Sequence, residues 1–359
     1  MNKAIFEYVW NDGNGELRSK IRVMKDKDIE NLNILNNPSF IWNYDGSSCN
    51  QASTENSEVI LKPIALYNNP LLRNTMNNSQ KCYLVLCESI DKNGNNVHGS
   101  NYQYAKEIFE NENVKNSDIW FGIEQEYFFV TPSTKNVVDF IPYNNENNDT
   151  LIQGPYYCGV GGNNIYTKQR NIALKHMSIC LDMNIPISGI NAEVAPSQWE
   201  YQVGPSTGIS ACHDLWVSRY ILKRIAENEN LDVTFYPKPI RGPKFEEKWN
   251  GSGAHINIST KESREEDGLN VIYQYMDLLK EKHLEHLEVY GKDNEYRLTG
   301  HHETGSMNEF TYGVGSRGSS IRIPNATYEN KCGYFEDRRP ASNIDPYLAC
   351  GIITKTLLL

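Results

Sequence analysis

Acidic residues recur in this chain at spacings that call for a cation. In the run W-F-G-I-E-Q-E-Y-F-F-V at 120–130, Glu124 and Glu126 stand two apart among aromatic and β-branched residues. A strand has a period of two, so both carboxylates face one way. An ionised carboxylate in such a strand is costly to bury unless a cation sits against it, and this segment holds no Lys or Arg. The same demand returns in N-A-E-V-A-P-S-Q-W-E-Y-Q-V-G-P at 191–205, where a reversal at Pro196-Ser197 sets Glu193 opposite Glu200 across a hairpin. In W-N-G-S-G-A-H-I-N-I-S at 249–259, alternation puts His255, Asn257 and Ser259 on one face, behind two glycines. Neutral imidazole beside carboxylates suits a divalent ion, and oxygen-rich sets of this kind favour Mg²⁺ or Mn²⁺. Taken singly, each feature has an ordinary reading as a solvated strand face or a satisfied core histidine. Arginines then gather in the last third: R-L-T-G-H-H-E-T at Arg297, R-G-S-S-I-R-I-P at Arg317 and G-Y-F-E-D-R-R-P at Gly333. Guanidinium forks match carboxylate and phosphate oxygens two at a time, and Arg322 between isoleucines requires a partner. Carboxylates, divalent ions and arginines together are an apparatus for phosphoryl transfer. The glycines at 154–162 lack a following G-K-S/T, so the nucleotide fold is not of the Walker kind.

These residues need strands and helices to position them. At 359 residues and net charge −10, the chain has material for two domains and no basic run for nucleic acid or an anionic membrane. No apolar run approaches the roughly 18 residues that would span a bilayer, and the N-terminus lacks a signal-peptide core, which places the protein in the cytoplasm. The eight cysteines are scattered singly, without metal-like spacing. Alternation through Ile5 to Trp10, a break at 11–15 and resumption at 17–24 read as a hairpin. Strands at 41–48, 61–67 and 83–87 complete a small sheet-rich domain over residues 1–90, with the polar loop at 91–96 as boundary. Helices are expected at 102–112, 168–183, 213–228 and 267–290, the last with His283 and His286 on a solvated face. Strands are expected at 120–130, 233–236 and 249–259. The fold class is α+β, with the catalytic domain over 91–359.

The blocks Y-D-G-S-S at Tyr44, F-G-I-E-Q-E-Y at Phe121, G-P-Y-Y-C-G-V-G at Gly154, and those at Asn191, Trp249, Arg297 and Gly333 resemble glutamine synthetase of the eukaryotic type (class II), in order over nearly the whole chain. The resemblance implies ligation of ammonia to glutamate with ATP, through an acyl phosphate, in nitrogen assimilation. It implies a β-grasp-like N-terminal domain and a larger α/β catalytic domain on a curved antiparallel sheet. Pentameric rings would stack into a homo-oligomeric decamer, with active sites between subunits. Glu126, Glu193 and Glu200 would hold one metal and Glu124, His255 and Glu336 the other, so two or more Mg²⁺ (or Mn²⁺) ions per site. ATP would meet Glu200, Asn257, Ser259, Arg317, Arg322 and Tyr334. Glutamate would meet Trp249, Asn250, Gly251, Arg297, Arg317 and Arg338. Asp45 would bind ammonium and take its proton, and Glu303 would close a flap; Arg317 and Arg338 would act on the transferring phosphoryl group. Departures from the family pattern stand at Gly162, Asn163 and Asn164, at Thr54, at His301 and in a longer loop at 241–248. A ligase for another amine, a carboxylate kinase and a catalytically silent homologue stay open alongside this reading.

Overall fold

The computed structural model describes residues 3–25, 33–76, 80–138, 156–161, 164–240, 249–301 and 304–359. The chain divides into two compact units, Met1–Lys106 with Ile179–Ile185, and Glu107–Ser178 with Pro186–Leu359.

The first unit is a mixed sheet. β1 (Lys3–Asn11) and β2 (Leu17–Lys25) form the expected hairpin, with Ile5 opposite Val23 and Tyr8 opposite Lys20. Asp12 makes the turn, its carboxylate accepting the backbone N–H groups of Asn14 and Glu16. β3 (Trp42–Asp45), β4 (Glu58–Asn68) and β5 (Lys81–Ile90) complete the order β2-β1-β5-β4-β3, and β1 runs parallel to β5. Phe6, Tyr8, Trp10, Phe40, Tyr44, Val59, Leu61 and Val85 are buried together, since alternate residues of these strands carry aromatic and branched side chains. The helix α1 (Pro70–Thr75) caps itself through Asn69, and α2 (Tyr102–Phe109) follows.

In the second unit, α3 (Glu112–Asn116) leads to β6 (Trp120–Val130), around which the sheet is built. After it the chain forms α4 (Asn164–Asp182), β7 (Ile187–Ala192), β8 (Gln198–Thr207), α5 (Ser210–Asn228), β9 (Asp232–Thr234) and β10 (Ala254–Ser259). Then come α6 (Lys261–Arg264), α7 (Gly268–Glu281), α8 (His283–Val289), β11 (Tyr312–Val314), β12 (Ile321–Ile323), α9 (Asn325–Asn330), β13 (Phe335–Asp337) and α10 (Pro346–Leu358). The order is β11-β12-β13-β10-β6-β8-β7, with β9 also on β6. All pairs are antiparallel except the edge pair β11 and β12, which run parallel. The period of two divides β6: Phe121, Ile123, Gln125, Tyr127 and Phe129 turn one way and are buried, and Gln125 accepts from Arg219 of α5 at 2.6 and 2.8 Å. The intervening Glu124 and Glu126 are left for the opposite face.

One expected helix is corrected. The stretch at 267–290 breaks at Lys282 into α7 and α8, and His283 and His286 are buried instead of lying on a solvated face. Their ring nitrogens find partners distant in sequence: His286 bonds Tyr290 Oη at 2.7 Å and Thr356 Oγ1 at 2.8 Å, and His283 bonds Met307 O at 2.9 Å and Arg339 at 3.0 Å. Helical periodicity carries no record of such partners.

Buried histidines give this fold an acid limit. Burial pushes His176 down to about 4, and burial followed by the nearby Arg339 pushes His286 down to about 3. Both are neutral in the folded chain, whereas the unfolded chain protonates them below its ordinary value of about 6.5. Their contribution is therefore complete above pH 6.5 and is lost as pH falls towards the folded values, at about 2 kcal/mol each by pH 5. Urea unfolding at pH 5 should show a His176→Gln variant taking up about one proton fewer on unfolding than the wild type. Equal uptake would mean that His176 is protonated in the folded state.

Candidate active site

Three strands build the first half of the site. In the antiparallel register His255 of β10 pairs with Glu124 of β6, and Asn257 pairs with Glu336 of β13. The imidazole Nδ1 consequently lies 3.4 Å from Glu124 Oε2 and 3.4 Å from Glu336 Oε1. One oxygen from each acid and one ring nitrogen lie within 4.8 Å of one another, a donor set that fits a divalent cation. Burial, reinforced by Arg338 and Arg297, holds His255 well below its usual range, so the ring is neutral. Arg297 donates to Nε2 at 2.8 Å, which directs Nδ1–H at the two acids, and a metal at Nδ1 requires the other tautomer. Gly253 leads into β10 because nothing larger fits: a Cβ there would stand 2.6 Å from an Arg297 nitrogen and 2.7 Å from His255 Nε2. Its N–H donates to Glu126 Oε2 at 2.8 Å.

The hairpin of β7 and β8 supplies the second half, in a register two residues away from the expected one. Asn191 lies opposite Glu200, while Glu193 N–H donates to Gln198 O at 2.8 Å. The turn forms at 195–198, around Pro196-Ser197 as expected, with Ser197 at φ 60°, and the offset lies between this turn and the ladder, where Ala192 pairs with Trp199. A shift of two preserves parity, and Glu193 and Glu200 still share a face. Glu126 pairs directly with Glu200 across β6 and β8. Burial and neighbouring carboxylates raise Glu200 well above the usual range, burial and Glu193 push Glu126 up to about 8, and burial chiefly raises Glu193. Acids held in this way gain from a cation among them.

Neutral amides aim these carboxylates. Asn257 Nδ2 donates to Glu124 at 2.9 Å, Gln198 Nε2 to Glu126 at 3.0 Å, Asn191 Nδ2 to Glu193 at 2.8 Å and Gln202 Nε2 to Glu200 at 2.7 Å. An amide fixes the orientation of a carboxylate without cancelling its charge, which leaves oxygens for a metal. Sequence reading missed Asn191, Gln198 and Gln202 in this role. The signal was present, since Gln198, Glu200 and Gln202 alternate along one strand. Glu336 differs, lying between Arg322 at 2.5 Å and Arg338 at 2.6 Å, which provides the partner that Arg322 requires. On the reverse of β13, Asp337 and Arg339 form a buried pair at 2.7 Å, joined by Tyr290 Oη at 2.7 Å.

Glu124, Glu126, Glu193 and Glu200 line a cavity of about 220 Å³ together with Asn250, Gly251, His255, Arg297, Arg317, Arg322 and Arg338; Tyr157 and Thr304 also reach it. Arg297 is held by the carbonyls of Arg338 and Arg339 at 2.9 and 3.2 Å and by His255 Nε2 at 2.8 Å. A second groove, of about 450 Å³, shares Glu124 and Gln202 with the first and adds Asn257, Ser259 and Tyr334. Trp249 packs, partly buried, against the cluster of Phe128, Ala195 and Ile240. Asp45 belongs to the first unit, where its carboxylate accepts from Ser47 N–H at 3.0 Å, Ser47 Oγ at 2.7 Å and Ser48 Oγ at 3.0 Å. Those bonds lower its pKa below the ordinary value. Glu303, Gly162, Asn163 and the loop at 241–248 lie outside the described residues.

Comparison with known proteins follows the same lines. Residues 102–281 match the family model described as the glutamine synthetase catalytic domain. The chain is 46% identical over 354 residues to a putative glutamine synthetase of Acanthamoeba polyphaga mimivirus, covering 99% of this chain and 94% of that one. It is 45% identical over 361 residues to glutamine synthetase of Schizosaccharomyces pombe, covering 99% and 92%. Against glutamine synthetase cytosolic isozyme 1-1 of Arabidopsis thaliana it is 44% identical over 361 residues, covering 100% and 95%. Among solved structures, the fold is similar to a cryoEM structure of Plasmodium falciparum glutamine synthetase, with a TM-score of 0.71 at 20% identity over 99% of this chain and 71% of that one.

Proposed function

The chain belongs to the glutamine synthetase family, and from that premise we propose how its residues divide the work of an ATP-dependent ligase that forms glutamine from glutamate and ammonia. The observation that carries the assignment is the clustering of Glu124, His255 and Glu336, with Glu124 and His255 lining the same arginine-ringed cavity as Glu126, Glu193 and Glu200. Members of this family use ATP and divalent metal. The ions are Mg²⁺ or Mn²⁺, two or more per site, one held by Glu126, Glu193 and Glu200 and another by Glu124, His255 and Glu336. When bound, such ions neutralise the terminal phosphates of ATP and draw charge from the phosphoryl group. Arg317, Arg322 and Arg338 stabilise the charge on that group during transfer. Arg297, with Asn250, Gly251 and Trp249, holds the glutamate carboxylates, and Asn257, Ser259, Tyr334 and Glu200 meet the nucleotide.

The γ-carboxylate of glutamate attacks the γ-phosphate, breaking its bond to ADP and giving γ-glutamyl phosphate. Ammonia then attacks the acyl carbon and phosphate leaves. Asp45 takes the proton from ammonium. Its carboxylate, held by Ser47 and Ser48, is anionic at neutral pH, which suits electrostatic capture of the ammonium cation. By family resemblance, Glu303 has the role of keeping water from the acyl phosphate. The functional domains are a β-grasp-like unit over 1–90 and a catalytic domain over 91–359. The working form is a cytoplasmic decamer of two pentameric rings, with Asp45 supplied by a neighbouring subunit. No helix among the described residues is long and apolar enough to cross a membrane.

Asp45→Ala tests the division of labour. Glutamine formation should fall about 10²- to 10³-fold, while positional isotope exchange in ATP with glutamate falls less than about tenfold. Parallel loss of both would remove Asp45 from the ammonia step.

A further inference from the structure

Behind β13 lies a buried polar network that the phosphate chemistry above does not use, and one end of it leads to a loop of the acid cavity. Between Leu298 and Met307 the chain turns back on itself: Thr299 bridges Ser306, and Met307 N–H donates to Leu298 O at 3.2 Å. Thr304 Oγ1 lies 3.0 Å from the Arg297 carbonyl, and Thr304 lines the cavity. The stem of this loop therefore sets where one wall of the cavity stands.

His283 of α8 grips that stem. Its Nδ1 lies 3.0 Å from a guanidinium nitrogen of Arg339, which can only donate, so Nδ1 accepts and the ring proton sits on Nε2. Nε2–H then donates to Met307 O at 2.9 Å. Burial holds the imidazole below its usual range, in keeping with this neutral form. Phe310 completes the corner, edge-on to the His283 ring at 5.8 Å and 5.2 Å from the Arg339 guanidinium carbon. Asp337 clamps Arg339 in turn, accepting from Nε at 2.9 Å and from a terminal nitrogen at 2.7 Å. One imidazole thus ties the loop to β13, the strand that presents Glu336 on its other face.

We infer that His283 is a positioning residue for the ammonia step: its donation to Met307 O fixes the loop stem against β13 and keeps the cavity wall tight enough to hold water from the acyl phosphate. The inference rests on the acyl-phosphate reading above and adds a residue that touches no substrate. A loosened stem leaves phosphoryl transfer in place, because Arg317, Arg322 and the acids stand on other segments. Water then competes with ammonia. Adding at the acyl carbon, it expels phosphate and returns glutamate, so ATP is consumed without glutamine.

The test measures phosphate and glutamine released in one assay by the full-length protein with ATP, glutamate, ammonium and Mg²⁺, beside a melting curve. His283→Leu is expected to raise the phosphate-to-glutamine ratio at least about threefold over the wild type, while positional isotope exchange in ATP stays within about threefold. His283→Gln carries an amide N–H to the place of Nε2 and should hold the wild-type ratio. His283→Asn keeps an acceptor for Arg339, is too short for Met307 O and should uncouple as His283→Leu does. An unchanged ratio in a folded His283→Leu or in His283→Asn overturns the inference, and a lower melting temperature alongside it assigns His283 to stability alone. Uncoupling in His283→Gln equal to that in His283→Asn also overturns it. Should His283→Leu fail to fold, His283→Gln and His283→Asn decide. A wild-type protein that makes no glutamine overturns the acyl-phosphate reading itself.

Discussion

Replacing Glu126 by glutamine is expected to lower glutamine formation by about 10³-fold and, in the metal-free protein, to raise stability. Glu126 stands at about 8 in the folded chain, against an ordinary value of 4.5. A raised folded pKa means that the folded state binds more protons than the unfolded state between those values. The associated stability is present below pH 4.5 and is lost as pH rises through 8, so at pH 7 the native acid is a liability of about 3 kcal/mol. Glutamine removes that liability, and its carbonyl can still accept the bonds now made by Gly253 N–H and Gln198. Chemical unfolding at pH 7 in the presence of a chelator should therefore show Glu126→Gln to be the more stable protein. Added Mg²⁺ should reverse the order, because only the wild type keeps the full ligand set. A variant less stable without metal, or active within tenfold of the wild type, would remove Glu126 from the metal site. The expected trade of stability for activity is the usual mark of groups assembled for function.

Arg338→Lys is expected to lower kcat by about 10²- to 10³-fold. Arg338 is nearly buried, donating to Glu336 at 2.6 Å through one nitrogen and to the Arg317 carbonyl at 3.1 Å through Nε. Lysine retains a positive charge near Glu336, so the acid is not left unpaired. It cannot reproduce two directed bonds while also facing a phosphate. Steady-state kinetics alongside a melting curve check this outcome. Unchanged kcat would show that charge alone suffices at this position, and a collapsed fold would show that Arg338 mainly serves the buried pairing.

Much of the site was legible because strand alternation is a local rule. Glu124 and Glu126, His255 and Asn257, and the shared face of Glu193 and Glu200 follow from a period of two. A two-residue error in the hairpin register did not disturb those faces. The helix at 213–228 and the β1–β2 hairpin were equally local. What failed depended on partners far along the chain. His283 and His286 sit on a helix rich in Lys and Glu, yet Arg339, Met307 and Thr356 draw them inside. The stacking of Arg264 on Trp120 joins residues far apart in sequence, brought together because Ser259 of β10 lies opposite Trp120 of β6.

The account turns on acids from distant strands holding a cation that serves phosphate transfer from ATP to glutamate. The direct measurement is phosphate and glutamine release by the purified chain supplied with ATP, glutamate, ammonium and Mg²⁺. The expected result is equal release of both products, dependent on ammonium and abolished by excess chelator. Phosphate release indifferent to ammonium, or activity that survives the chelator, would contradict it.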